Sequence, residues 1–132
     1  MAETGEVVVE SRQSDGVMVA RIGGCRALFD ERVIRKVRES LFQLAATPGI
    51  RGLVIDFSDV TQFGSCLLAV LIDLDSTIQR TGGSLALCGL GIHIERVFQV
   101  TKLDQRFSIC KDEPSAIQAL RQNEPDLATR QG

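Results

Sequence analysis

The feature that most constrains the fold is a pair of short, almost wholly apolar segments separated by a helix-patterned stretch. Residues 52–57 read GLVIDF and residues 85–88 read LALC. Apolar runs of this length, bounded by turn residues, are typical of strands buried on both faces, as in parallel sheets covered by helices. Between them, residues 67–78 carry a broad apolar helical surface. The chain is therefore predicted to be an α/β protein with a mostly parallel sheet.

The flanking segments extend this pattern at both ends. A β-branched run begins at Val7, and Asp15-Gly16 separates it from a second run over residues 17–22. An Asp-Gly pair between two such runs is a strong signal for a β-hairpin. Asp30 suits the N-cap of the first helix, and further helices are expected after each later strand. The predicted order is β-β-α-β-α-β-α-β-α.

Length and composition favour one ordinary domain. The chain has 132 residues, and its 15 basic and 17 acidic residues give a net charge of -2. A nucleic-acid-binding protein usually carries a basic excess, so no nucleic-acid partner is expected. We expect a single domain over residues 1–121 and a polar, disordered tail over residues 122–132.

The apolar segments also bear on location. No basic region followed by a long apolar stretch opens the chain, and the longest apolar run, residues 67–72, is far too short to cross a bilayer. We therefore expect a cytoplasmic protein without membrane insertion.

The cysteines give no metal pattern, although their even number could suggest disulfides. The four cysteines are Cys25, Cys66, Cys88 and Cys110; they are widely spaced, and the only histidine is His93. Zinc sites use closely spaced Cys and His ligands, so neither a metal nor another cofactor is expected. Without a secretory signal, reduced thiols are favoured.

The ordered series of motifs resembles a known family. The stretch GLVIDFSDVTQFGSCLLAVLI, followed by RTGGSLALCGLGIHIERVFQVTKLDQRFSICKDEPSAIQAL, is similar to the STAS domain of anti-sigma factor antagonists. The similarity extends over residues 7–120. It implies a small mixed sheet of four or five strands, with an N-terminal hairpin and helices mostly on one face.

The resemblance also implies a function. STAS antagonists are non-catalytic switches that bind an anti-sigma factor and so release a sigma factor. The anti-sigma factor is often a serine kinase of the histidine-kinase-like ATPase type. It phosphorylates a hydroxyl at the start of the helix after the third strand, and a phosphatase reverses this. The corresponding turn and helix start here, with Thr61, Gln62, Phe63, Gly64, Ser65, Cys66 and Leu67, is the predicted partner-binding surface.

This chain departs from the family pattern at that turn. The usual sequence is Asp-Ser-Ser-Gly-Leu-Gly, whereas residues 64–69 read GSCLLA. Cys66 therefore occupies the usual phosphoacceptor position, Gly64 replaces the Asp, and Ser65 is the remaining hydroxyl. The alternative function is an unphosphorylated STAS adaptor in a lipid-transport, transporter or stress-sensing complex.

Two interpretations of Ser65 remain open, and they are compatible. Its hydroxyl can cap the helix, which is the favoured interpretation, or it can accept phosphate that the helix N-terminus would stabilise. Cys66 is either a size mimic of serine or a redox-sensitive thiol. No Ser-His-Asp or Cys-His set can be assembled, so we expect no enzyme.

Three acidic residues receive structural predictions. Asp56, at the end of its strand, is expected to be a solvated strand end or a cap. Asp73 and Asp75 are expected to lie on the wet side of the second helix.

Overall fold

The structure is a computed structural model that describes residues 7–122, and in residue 122 only the backbone. The disordered tail was predicted over residues 122–132; Gln122 is instead the last residue of a helix, and residues 123–132 lie outside the described residues. The strands are β1 Val8–Ser14, β2 Val17–Gly23, β3 Ala27–Leu28, β4 Gly52–Asp56, β5 Gln62–Phe63, β6 Ser84–Cys88 and β7 Ser108–Cys110. The helices are α1 Glu31–Ala45, α2 Ser65–Arg80, α3 Ile92–Val100 and α4 Glu113–Gln122, with a short 3-10 turn at Leu103–Gln105.

The predicted opening hairpin is confirmed. β1 and β2 pair antiparallel from Val8 opposite Gly23 to Ser14 opposite Val17. The two turn residues both have positive φ, 51° at Asp15 and 82° at Gly16. That combination defines a two-residue type I′ turn, whose twist matches that of the strands it joins.

The main sheet is mixed, as predicted. Its five strands lie in the order β1-β2-β4-β6-β7, and every pair except β1–β2 is parallel. Each parallel connection contains a helix, which is what a parallel sheet requires. The carboxyl ends of the parallel strands β4 and β6 consequently lie side by side at the same end of the sheet, where the turns before α2 and α3 begin.

The two faces of the sheet carry separate cores. On one face, Met18, Ala20 and Ile22 of β2 pack in a large cluster with residues of α1, α2 and α3. On the other, Val17 and Val19 pack with α4 in a smaller cluster. The alternation along β2 follows from the two-residue period of a strand. The prediction of helices mostly on one face is confirmed: within residues 7–122, α4 is the one helix on the second face.

A second, very small sheet was not predicted. β3 and β5 pair in parallel, with Ala27 opposite Gln62 and Leu28 opposite Phe63. The amide of Thr61 also donates to the carbonyl of Arg26 at 2.8 Å. These bonds tie the segment before α1 to the turn before α2, so they position the predicted partner-binding surface.

None of the helices in the described part of the chain is long and apolar enough to cross a membrane.

Candidate functional site

The candidate site is the turn that leads from β4 into α2. β4 is buried along its whole length, and α2 is anchored by Leu67, Leu71 and Leu74, which are fully buried. Rigid elements on both sides therefore hold the turn. Its own residues are far more exposed: Thr61, Gln62, Ser65 and Cys66 are exposed, and Phe63 and Gly64 are partly so.

Ser65 is not the helix cap that we predicted. The N-cap is Gly64, which has extended backbone angles and no side-chain capping bond. Ser65 is the first residue of α2, so its hydroxyl does not take the position of a capping group. Among the described residues, this exposed hydroxyl has no hydrogen-bond partner. It is open to solvent and to another protein.

The start of α2 is electrostatically suited to an anion. The amides of Leu67 and Leu68 both donate to the carbonyl of Gly64, at 3.2 and 3.3 Å, while those of Ser65 and Cys66 have no acceptor in the described part of the chain. The first turn contains no acidic residue. Free amides and the helix dipole favour negative charge at this end. A phosphate on Ser65 would therefore meet a favourable environment.

One predicted partner-contacting residue is wrong. Leu67 is fully buried and packs into the larger core. Helical spacing explains this, because position 67 shares the inward face of α2 with Leu71 and Leu74. Its neighbour Leu68 is half-buried. The exposed part of the turn therefore ends at Cys66.

Phe29 belongs to this surface, and the sequence analysis missed it. The residue follows β3 and is 55% exposed. Its ring lies against the backbone at the start of α2: a Cβ atom on Gly64 would be 3.1 Å from Phe29 Cδ1. No periodic signal marks this contact, because it depends on the two-residue pairing of β3 with β5. Beneath it, Phe63 contacts the rings of Phe57 and Phe98, with centroids 5.4 and 6.3 Å away.

Asp56 anchors the turn from below. Its carboxylate accepts hydrogen bonds from the amide and the hydroxyl of Ser58, at 2.8 and 2.5 Å. Asp56 therefore holds the turn that follows β4 and does not cap a helix, and the solvated strand end is wrong because Asp56 is only 6% exposed. Burial alone would raise the pKa of Asp56, but hydrogen bonds from the Glu113 carboxyl and Ser58 outweigh it and lower that pKa.

Glu113, the first residue of α4, completes a pair of carboxyl groups. Its protonated form donates a hydrogen bond to Asp56, and this bond, together with partial burial, raises the pKa of Glu113. Arg12 opposes that shift through a bond from Nη2 to Glu113 Oε1 at 2.6 Å. The pair joins the end of β4 to the start of α4. Sequence spacing gave no sign of it, because the two residues are far apart in the chain.

Asp75 also differs from its prediction. It was expected on the wet face of α2, but it is only 3% exposed. Arg106 Nε donates to its Oδ2 at 3.0 Å, and Gln79 donates to the same carboxylate. Asp73 does lie at the surface, in an ion pair with Arg38. Asp75 can be buried because Arg106, which is far away in the sequence, lies beside it in the fold and pairs with its charge.

The thiols fall into distinct environments. Cys66 is exposed, Cys25 and Cys110 are partly buried and Cys88 is buried; all four are unpaired. Burial, followed by the nearby charge of Asp56, raises the pKa of the Cys88 thiol to about 12. The described residues contain no cluster of three or more His, Cys, Asp or Glu side chains able to hold a metal ion. The accessible thiol is therefore the one beside Ser65.

Comparisons with known proteins agree on the fold. A family model described as the STAS domain matches residues 8–116. An anti-sigma factor antagonist from Mycobacterium paratuberculosis superposes with a TM-score of 0.75 at 22% identity, covering 92% of this chain and 99% of that one. A STAS domain protein from Planctomyces limnophilus gives 0.78 at 21% identity, with 86% and 97% covered.

A third solved structure shares the fold. The Bacillus cell fate determinant SpoIIAA, in its phosphorylated form, gives a TM-score of 0.64 at 14% identity, covering 85% of this chain and 98% of that one. The comparison with curated proteins returned no match.

Proposed function

The chain belongs to the STAS domain family, and from that premise we propose that it is a non-catalytic protein-binding switch, an anti-sigma factor antagonist. In this role it binds a kinase-type anti-sigma factor and thereby releases a sigma factor. The observation that carries the proposal is Ser65, an exposed hydroxyl without a described partner on the first residue of α2. Solved anti-sigma factor antagonists with this fold support it.

The binding surface is the exposed part of the turn, together with Phe29. Thr61, Gln62, Ser65 and Cys66 supply polar contacts. The half-exposed ring of Phe29 supplies an aromatic contact beside them. Aromatic side chains, Phe included, are enriched at protein interfaces relative to the rest of the surface. Docking of the anti-sigma factor here places Ser65 at the interface.

Phosphorylation then reverses docking. The anti-sigma kinase transfers the γ-phosphoryl group of ATP to Ser65 Oγ, which loses its proton, and ADP leaves. The product carries a charge of about -1.5 to -2 where the free hydroxyl stood. The amides at the start of α2 stabilise this charge on the free antagonist, whereas a partner fitted to a neutral hydroxyl is repelled. Hydrolysis by a phosphatase restores the hydroxyl and the complex.

The decisive experiment combines capture with mass spectrometry. The full chain is used to capture partners from cells that express it, and the recovered kinase is incubated with the chain and ATP. We expect one added phosphate, absent in Ser65→Ala, and we expect Ser65→Asp to weaken binding. The matched control is Ser65→Ala/Cys66→Ser, which moves the hydroxyl of the Gly64–Cys66 segment to the usual acceptor position.

The outcomes separate the parts of the proposal. If the captured kinase binds but adds no phosphate, binding stands and phosphate control is refuted. If no kinase-type anti-sigma factor is captured by any variant, the antagonist role itself is contradicted.

Cys66 gives a second candidate function a specific basis. A thiol at the usual acceptor position suits an unphosphorylated STAS adaptor that binds its partner constitutively. Equal binding of Ser65→Ala, Ser65→Asp and the unaltered chain to captured transporter or scaffold subunits would favour the adaptor over the switch.

A further inference from the structure

β1 presents an open edge of the main sheet. It is the first strand in the order β1-β2-β4-β6-β7, and in the described part of the chain its outer side is unpaired. Five of its seven residues are exposed. A free edge of this length is a template for pairing with another strand.

The hairpin determines which backbone groups face outward. In a two-residue hairpin the pair beside the turn, here Ser14 and Val17, is hydrogen-bonded, and bonded pairs then alternate along the strands. The backbone groups of Arg12 and Glu10 therefore point towards β2. Those of Val9, Ser11 and Gln13 point outward, three amides and three carbonyls in a regular row.

The charges on this strand complement themselves. When two copies of β1 run antiparallel about a two-fold axis at Ser11, each Ser11 lies opposite the other. Glu10 of one copy then lies opposite Arg12 of the other, twice over. These are the non-hydrogen-bonded positions, where opposing side chains are closest and opposite charges stabilise pairing.

The same charges disfavour other arrangements. Two-fold axes at Glu10 or Arg12 would place Glu10 opposite Glu10 or Arg12 opposite Arg12, where like charges destabilise pairing. An axis at Gln13 would place Arg12 opposite Ser14 and leave most of β1 unpaired. In-register parallel pairing would bring Glu10 beside Glu10 and Arg12 beside Arg12. Charge therefore selects one register and one direction.

Glu10 and Arg12 are also available for the contact. Glu10 has no ion-pair partner among the described residues, and Arg12 bonds Glu113 through Nη2 only. A guanidinium has five donors, so it can hold a second carboxylate. Both residues line an open cavity of about 220 Å³ on the α4 side, together with Arg21 and Glu113. The cavity leaves room for the side chains of a second copy.

We propose that β1 is a homodimer interface in which two copies of this chain join antiparallel about Ser11 into one ten-stranded sheet. The occupant of the edge is thus a second copy of the chain. Such a contact is isologous, because the same strand serves both subunits, and it closes at two copies. It uses the lateral edge of the sheet, whereas the turn from β4 into α2 follows a strand in the interior of the sheet, so dimerisation does not depend on the proposed function.

Charge reversal tests the interface. Sedimentation equilibrium of the full chain should show a concentration-dependent dimer. Glu10→Arg places like charges opposite each other twice and should raise the dimer dissociation constant about tenfold or more. Arg12→Glu should act similarly. An equimolar mixture of the two variants should recover association, because every opposing pair is then complementary. Glu39→Arg, an exposed reversal on α1, is the matched control and should dimerise normally.

A backbone variant keeps the test independent of charge. Ser11→Pro removes an outward amide and leaves the bonds to β2 intact, so the hairpin should fold, as circular dichroism can check, but the dimer should weaken. Amide exchange gives the corresponding signature: Val9, Ser11 and Gln13 should gain protection together as protein concentration rises. A monomer at all concentrations up to about 1 mM, a range typical of weak association, overturns the proposal. Unchanged dimerisation of both Glu10→Arg and Ser11→Pro overturns it as well.

Discussion

At the scale of single residues, Gly89 shows how the loop after β6 depends on a missing side chain. Its φ is +71°, and a Cβ atom there would lie 2.6 Å from both Asp56 Oδ1 and Ser58 Oγ. Phe57 donates its amide to the carbonyl of Cys88 next to it, at 2.9 Å. The loops after β4 and β6 are thus packed directly against each other, with glycine as the spacer.

Gly89→Ala should therefore destabilise far more than a glycine substitution at a similar φ elsewhere. Gly82 is the matched control, because its φ is +84° and nothing lies within 4 Å of its added Cβ. We expect Gly82→Ala to cost about 1–2 kcal/mol from backbone strain. Gly89→Ala should cost about 2–4 kcal/mol, since overpacking against Asp56 and Ser58 is added. Urea unfolding of both variants measures the difference, and equal losses would contradict the close approach.

Individual residues also mark where sequence reasoning ended. Asp30 was predicted as a cap and is one, with its side chain accepting from the amide of Arg32. Ser65 was predicted as a cap and is not one, because α2 begins one residue earlier than expected and Gly64 is its N-cap. The burial of Asp75 depends on Arg106, which is distant in the chain. Local sequence patterns can predict helix caps and turns, but they do not reveal an ion-pair partner that the fold brings close from elsewhere in the chain.

At the scale of elements, the long strands and helices could be predicted from the sequence and the shortest strands could not. β4 and α2 were identified because an all-apolar run and a long helical stripe persist over many residues. β3 and β5 were missed because two residues cannot show a period. Yet this short sheet positions the candidate site, since it ties the segment after Arg26 to Gln62 and Phe63. The pairing also brings Phe29 to Gly64, which is why the sequence analysis did not include Phe29.

The contact between α4 and β4 should respond to pH through Glu113. A raised pKa means that the fold favours protonated Glu113, so its contribution to stability is complete below its usual pKa, 4.5, and is lost as pH rises through the shifted value. Asp56 has the opposite sign, because its lowered pKa contributes stability that is lost on acidification.

Glu113→Gln keeps a donor for Asp56 and cannot ionise. We expect it to raise the free energy of unfolding at pH 7 by up to about 1 kcal/mol, a modest gain because the side chain is partly exposed. It should also remove the loss above pH 4.5. Asp112→Asn is the control of opposite sign, since hydrogen bonds from Ser115 lower the pKa of Asp112. Urea titrations from pH 4 to 8 measure both, and a Glu113→Gln profile parallel to that of the unaltered chain would refute the link.

At the scale of the whole molecule, the sheet divides the protein into unequal halves. In the part of the chain that the structure describes, three helices cover one face and α4 covers the other. Leu120 of α4 rests on Gly52, where an added Cβ would lie 2.8 Å from Leu120 Cδ1. Cys88 is completely buried in this smaller core. Because a single helix covers the smaller core, we expect solvent to reach the sheet first on the α4 face.

The thiol of Cys88 is an internal probe of that opening. In a variant with Cys25→Ser, Cys66→Ser and Cys110→Ala, a thiol reagent should modify Cys88 only after the smaller core opens. The native thiol has a pKa of about 12, so almost none of it is ionised at pH 8. We expect labelling that is slower by orders of magnitude than labelling of exposed Cys66 in the unaltered chain. The rate should rise with urea as the protein unfolds. Labelling at the rate of Cys66 would show that α4 does not seal this face.

The contact of Phe29 with Gly64 has a consequence for mutational history. The usual family sequence places an aspartate at position 64, but a side chain there would begin 3.1 Å from the ring of Phe29. Gly64→Asp therefore requires the exposed ring of Phe29 to give way by a few tenths of an ångström. The two positions are coupled, so Gly64→Asp should cost less stability when position 29 carries a smaller residue, and a double-mutant cycle measures the difference.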